Sequence, residues 1–183
     1  MVPEAQTHPG FSERFIHSEI YKAYPAISSV IHSHALPILP FSISSQPLSA
    51  CFHMAGFLGS GVPVWDINSS YSDADQQDML VRNAKLGASL AKSLRVEEDV
   101  VTLMRGHGMV VVADKMEMCV LRAIYTVQNA KVLQAARGLG GEIKVLSQKE
   151  ATDTANTTGM GAVKPWPLWT REVEATGLYQ NLA

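Results

Sequence analysis

A chain of 183 residues, 46% hydrophobic and 17% charged, fits one globular domain with a single core. Its net charge of −2 leaves no basic excess for a nucleic-acid partner, and no apolar run is long enough to span a bilayer. Few charges beside many apolar residues point to further surface buried between copies of the chain.

The first ten residues, with Pro3, Pro9 and Gly10, read as an irregular lead-in. They carry no basic stretch followed by an apolar run, so no secretory leader is expected. Cys51 and Cys119 sit among apolar residues and read as buried free thiols of a cytoplasmic protein, although spacing alone leaves a disulfide open. Ser12 is placed to cap a helix running to about Tyr24, with Phe15, Ile16, Ile20 and Ala23 as its apolar stripe and Pro25 helping to stop it.

A short strand follows at Val30 to Ala35, and Pro37, Pro40 and Pro47 break the next stretch into loops. Gly56, Gly59 and Gly61 mark a turn or a close backbone approach. Val62 to Ile67 reads as a strand and Ser72 to Leu94 as one long amphipathic helix, followed by an acidic turn at Glu97, Glu98 and Asp99. Val100 to Met104 and Met109 to Ala113 are short β-type runs around Arg105-Gly106-His107-Gly108. Asp114 is placed to cap a long helix over Lys115 to Arg137, closed by Gly138. Ser147 and Glu150 have capping-box spacing, Gly159 to Pro167 reads as a loop, and Trp169 to Gly177 as a last helix.

Chemistry concentrates at His32 and His34. On a strand, residues two apart leave the same face, so both imidazoles point one way and can supply half of a tetrahedral metal site. The plain alternative is a pair of exposed histidines. His107 is the candidate third ligand: glycines on both sides let the backbone turn tightly and clear space beside its ring. Three imidazoles would leave a fourth position open, as a catalytic site requires. Glu13 is the candidate carboxylate, 19 residues before His32, although acidic residues are also common in a first helical turn for dipole reasons alone.

These segments together carry a resemblance. Ser12-Glu13-Arg14-Phe15-Ile16-His17, Tyr24-Pro25, Val30-Ile31-His32-Ser33-His34-Ala35 and Leu103-Met104-Arg105-Gly106-His107-Gly108-Met109-Val110 resemble, in order and spacing, the class II aldolase/adducin family from about Phe11 to Arg137. That family includes fuculose-phosphate aldolase, ribulose-phosphate 4-epimerase and decarboxylases of hydroxy-aromatic acids. The resemblance implies an α/β fold, three-layer α/β/α around a mainly antiparallel sheet, and a homotetramer with sites near subunit interfaces.

It further implies that His32, His34 and His107 bind a divalent metal, zinc first, with manganese, iron or cobalt also suited to three imidazoles. Glu13 matches the catalytic acid/base. His53 falls near a proton-donating tyrosine that sugar-phosphate aldolases supply from a neighbouring subunit, against the alternative of a packed histidine. Arg105 matches the decarboxylase-like branch, where it would pair with a substrate carboxylate; a surface ion pair is the alternative. His17 reads as a structural neighbour one helical turn from Glu13.

The expected function is therefore a metal-dependent carbon–carbon lyase, of aldolase or decarboxylase type, acting on a small hydroxy-carbonyl or hydroxy-aromatic acid through a metal-stabilised enolate. The alternatives are a non-catalytic adducin-like interaction module and a sugar-phosphate epimerase. The first predicts lost metal ligands and a basic tail, and neither is seen in the sequence. Members of the family carry one more helix and several strands before the Glu13 helix, including phosphate-binding loops. The chain is accordingly expected to be a single domain over 1–183 without the usual N-terminal segment. Phe11 also stands where sugar-phosphate aldolases have a small hydroxyl residue. Either the substrate is not a phosphorylated sugar, or the chain is a shortened form with impaired activity.

Overall fold

The computed structural model describes residues 10–95 and 100–179. The expected lead-in before Gly10 and the acidic turn at residues 97–99 lie outside the described residues.

Helix α1 spans Arg14–Ala23 and strand β1 Ser29–Ser33. After a short helical segment, α2 (Leu39–Ser42), come β2 (Val64–Trp65) and α3 (Ala84–Ser93). Strands β3 (Val101–Met104) and β4 (Gly108–Ala113) form a hairpin, followed by α4 (Met116–Leu139), α5 (Gln148–Met160) and α6 (Trp166–Ala175). The sheet has the order β1-β4-β3-β2. The β1–β4 and β4–β3 pairs are antiparallel and the β3–β2 pair parallel, so the sheet is mixed with an antiparallel majority.

Three layers follow from the period of two along β3 and β4. Val101, Leu103, Met109, Val111 and Ala113 face one way and pack with Cys119, Ala130 and Leu133 of α4. Met104, Val110 and Val112 face the other way and pack with Ile16 and Ile20 of α1 and Leu86, Leu90 and Ala91 of α3. Both central strands are buried on both faces, which is why they read as continuous apolar runs rather than as alternating ones.

Helix α1 is entered differently from the expectation. Glu13, not Ser12, holds the N-cap position and makes no side-chain cap bond. The chain instead turns through the Arg14 N–H donating to the Phe11 carbonyl at 3.2 Å, while the Arg14 guanidinium donates to the Gly10 and Phe11 carbonyls. This leaves the Glu13 carboxylate free of capping duty.

Of the 23 residues expected as one long helix over Ser72 to Leu94, only the 10 of α3 are helical. Asn83 caps α3 by accepting from the Leu86 N–H at 3.0 Å, and local side chains hold the preceding stretch out of helix. The Asp75 carboxylate accepts from the Ser72 N–H and hydroxyl, and Asp78 accepts from the Leu80 N–H and pairs with Arg82. The strand expected over Val62 to Ile67 is two residues long, because Asp66 accepts from the Asn68 N–H and starts a 3-10 turn at Ile67.

The capping box at Ser147 and Glu150 forms as expected. Helix α5 then continues to Met160, into the stretch read as a loop. Helix α4 begins at Met116 and ends at Leu139, before Gly140 with φ 76°, so neither Asp114 nor Gly138 bounds it. Helix α6 starts at Trp166, with Pro165 at its N-cap position and Pro167 in its first turn, where a missing N–H does no harm. Cys51 and Cys119 are both free, Cys119 buried and Cys51 half-buried, and burial raises both thiols above their ordinary range.

A candidate metal centre

Three pieces of backbone meet at one end of the sheet. Strand β1 delivers His32, opposite Val110 in the ladder, on the face that packs against α1. His34 follows just past the strand end. The β3–β4 turn delivers His107, whose N–H donates to the Met104 carbonyl at 3.0 Å. Both glycines beside His107 have a physical task. Gly106 has φ 64°, and a Cβ at Gly108 would lie 2.2 Å from the Ser33 carbonyl oxygen. Glycine therefore lets the turn lie directly on the end of β1, and His107 comes to rest beside His34.

The three imidazoles converge through the same nitrogen. His32 Nε2 lies 2.9 Å from His34 Nε2, which lies 2.8 Å from His107 Nε2. The Glu13 carboxylate closes the group from the start of α1, with Oε1 at 3.3 Å from His107 Nε2 and Oε2 at 3.6 and 3.9 Å from His32 and His34 Nε2. Ligand atoms of all four residues lie within 4.8 Å of one another.

The polar atoms fit a cation at the centre. Glu13 Oε1 is buried with no hydrogen-bond partner. His32 Nδ1 is 3.1 Å from the Met109 carbonyl oxygen, to which it donates its proton, leaving the Nε2 lone pair aimed at the group. Burial pulls His32 down to about 4. The Glu13 charge and the Met109 carbonyl oppose the shift, and His107 and His34 reinforce it. Burial likewise lowers His107, with Glu13 and the Met79 backbone carbonyl opposing and His34 reinforcing. Imidazoles held neutral are in the form that binds metals. The His32 and His107 side chains are 12% and 8% exposed while that of His34 is 61% exposed, so the group opens to solvent past His34.

The other residues singled out from the sequence lie around this centre or away from it. His17 is half-buried on α1, and burial lowers its pKa against the pull of Glu13, consistent with a structural neighbour. Arg105 Nε is 2.7 Å from Asp66 Oδ1, so the ion pair forms; the hydrogen bond from Arg105 holds the Asp66 carboxyl below its ordinary range. His53 opens a 3-10 segment, His53–Leu58, is exposed with its ring edge-on to Phe52, and is not among the four converging residues.

Ser42 gave no signal in the sequence. Its buried hydroxyl accepts from the Gly106 N–H at 3.0 Å and donates to the Leu39 carbonyl at 2.8 Å, pinning the turn that carries His107.

Known proteins share this arrangement of elements. The family described as Class II Aldolase and Adducin N-terminal domain matches residues 2–133. Decarboxylase tropJ of Talaromyces stipitatus is 44% identical over 95% of this chain and 71% of its own length. The 3,4-dihydroxyphthalate decarboxylase of Arthrobacter keyseri is 26% identical over 85% of this chain and 61% of its own. Among solved structures, the L-fuculose 1-phosphate aldolase of Glaciozyma antarctica superposes with a TM-score of 0.67 at 18% identity, covering 92% of this chain and 61% of that one, and shows the shared fold. This chain thus spans about three fifths to seven tenths of the length of the proteins it matches. With most of its length inside the family match and 44% identity to one relative, the chain belongs to the class II aldolase and adducin family.

Proposed function

We propose that the protein is a metal-dependent carbon–carbon lyase of the carboxy-lyase kind, acting on a small hydroxy-aromatic acid. The observation that carries this is the convergence of His32, His34 and His107 Nε2 with an unpartnered, buried Glu13 oxygen. The two decarboxylase relatives support the carboxy-lyase choice over aldol cleavage.

His32, His34 and His107 are the residues to hold the ion, with zinc the first choice for three neutral imidazoles. When bound, a divalent metal supplies a Lewis acid that polarises a substrate oxygen and stabilises the charge left when the carbon–carbon bond breaks. Glu13, within reach of the same point, orients the substrate and delivers the proton to the carbon that loses CO₂. Arg105 lies two residues before His107, and its side chain, 39% exposed despite the Asp66 pair, would pair with a substrate carboxylate. Exposed His34 marks the entry side. In a homotetramer the exposed His53 ring is available to the site of a neighbouring copy.

Metal analysis of the purified protein beside a His32→Ala/His34→Ala double variant tests the site. Near-stoichiometric metal in the parent and its loss in the variant are expected; sub-stoichiometric metal in both overturns the proposal. With metal present, CO₂ release is expected to exceed aldehyde release across a panel of hydroxy-aromatic acids and hydroxy-carbonyl compounds. The reverse would assign aldol cleavage instead.

A further inference from the structure

Met79 is the one non-glycine residue with a positive φ, 70°, among the described residues. An unbranched side chain rarely adopts this conformation, and such residues persist where their surroundings hold them. The holding group is visible: the Met79 N–H donates to the Tyr71 hydroxyl oxygen at 2.9 Å, and both side chains pack on the α1–α3 side of the sheet. The residue lies against the turn that carries His107. With Trp65, Ile67, Met104, Arg105 and His107 it lines a small recess, and its Cε would be 3.6 Å from a Cβ on Gly106.

His107 has an unmet need at this place. His32 donates its Nδ1 proton to the Met109 carbonyl, whereas buried His107 Nδ1 closes no full hydrogen bond and has only the Met79 backbone carbonyl near it, the group that opposes the fall in its pKa. Histidines that bind metals through one nitrogen almost always donate the other N–H to a carbonyl, carboxylate or water, which fixes tautomer and ring orientation.

We propose that Met79 is a positioning residue for the metal centre: its left-handed backbone presents its carbonyl to His107, which donates Nδ1–H there when Nε2 binds a metal. This rests on the metal-site reading above. The role belongs to the backbone, so the side chain matters only through the φ it permits. Glycine adopts φ near 70° freely and keeps the carbonyl in place, whereas β-branched valine is strongly disfavoured there and turns it away.

Cobalt(II) titration of the metal-stripped full chain, followed by visible absorption and chelator competition, tests this without relying on turnover. Met79→Gly is expected to bind within about twofold of the parent and give the same spectrum. Met79→Val is expected to bind about ten-fold more weakly or worse, with an altered spectrum, the scale usual for losing an outer partner of a ligand. Thermal melts of the metal-free variants check that each folds. If Met79→Val does not fold, Tyr71→Phe replaces it, since it removes the acceptor for the Met79 N–H, and several-fold weaker binding is expected.

A plain packing role predicts the opposite order, because glycine deletes the most side chain. Weaker binding in Met79→Gly than in Met79→Val, or parent-like binding in every variant, overturns the positioning role while leaving the metal site standing. A parent chain that takes up no cobalt overturns the metal-site reading itself.

Discussion

A Cβ placed on Gly87 of α3 would lie 2.4 Å from the Phe15 carbonyl oxygen and 2.7 Å from Glu19 Cγ in α1. The two helices are therefore in backbone contact, and that contact sets how close α1 lies to the sheet. Glu13 immediately precedes α1, so the same contact helps fix the distance from its carboxylate to the histidines. Gly87→Ala must push α1 outward. Overpacking of this kind destabilises by about 1–3 kcal/mol, more than the gain of up to about 1 kcal/mol from alanine's helix propensity. The expected result is a lowered melting temperature together with reduced lyase turnover at a temperature where the variant is fully folded. Unchanged turnover in the folded variant would show that the α1–α3 spacing does not set the site.

Glu13→Gln keeps the shape of the side chain and removes the carboxylate. The three imidazoles remain, so metal content is expected to stay near that of the parent. Turnover is expected to fall by about 10²–10⁴-fold, the range ordinarily supplied by a general acid or base. Retained turnover would remove Glu13 from the chemistry, and joint loss of metal and turnover would make it a ligand first.

How much of this was legible in the sequence depends on how local each determinant is. The His32–His34 pair was readable because a strand's period is fixed, and His107 because flanking glycines announce a tight turn. The layers followed from the resemblance and from apolar runs buried on both faces. The long helix expected over Ser72 to Leu94 failed because Asp75, Asp78 and Asn83 bond their own backbone neighbours, and that competition is not visible in hydrophobic period alone. Ser42 and Met79 were invisible for a different reason. Their contacts to Gly106 and the His107 turn bridge 64 and roughly 27 positions of chain, and neither residue type signals such a task. The Arg105–Asp66 pair was foreseen as an alternative without its partner, since pairing between β2 and β3 is what brings the two together.

Ser42→Ala tests the pinning of the turn. It removes the acceptor of the Gly106 N–H from the buried Ser42 position, a loss of about 0.5–1.5 kcal/mol, since the exposed Gly106 can turn to water instead. A lower urea midpoint is expected, together with weaker metal uptake, because His107 adjoins the loosened Gly106. A drop in stability with parent-like metal affinity would confine Ser42 to the fold.

The metal-free protein should carry a pH signature of its buried histidines. In the folded chain burial holds His32 near 4 and also lowers His107 and His17, whereas in the unfolded chain an imidazole titrates near its ordinary 6.5. Between these values the unfolded state binds more protons, so stability rises with pH there. Their contribution is fully present above pH 6.5 and is lost as the pH falls toward 4, at no more than about 1.4 kcal/mol per pH unit for each histidine. The cleanest interval is pH 6.5 to 5, before the depressed carboxyls Glu19, Asp66, Asp75 and Glu150 begin to titrate. Urea midpoints of the chelator-treated protein should decline across that interval, and the decline should be shallower in His32→Gln. Added zinc should shift the whole decline to lower pH, because the ion competes with protons for the same nitrogens. A flat profile in the parent, or an equal slope in His32→Gln, would mean that the imidazole of His32 is not held neutral by the fold.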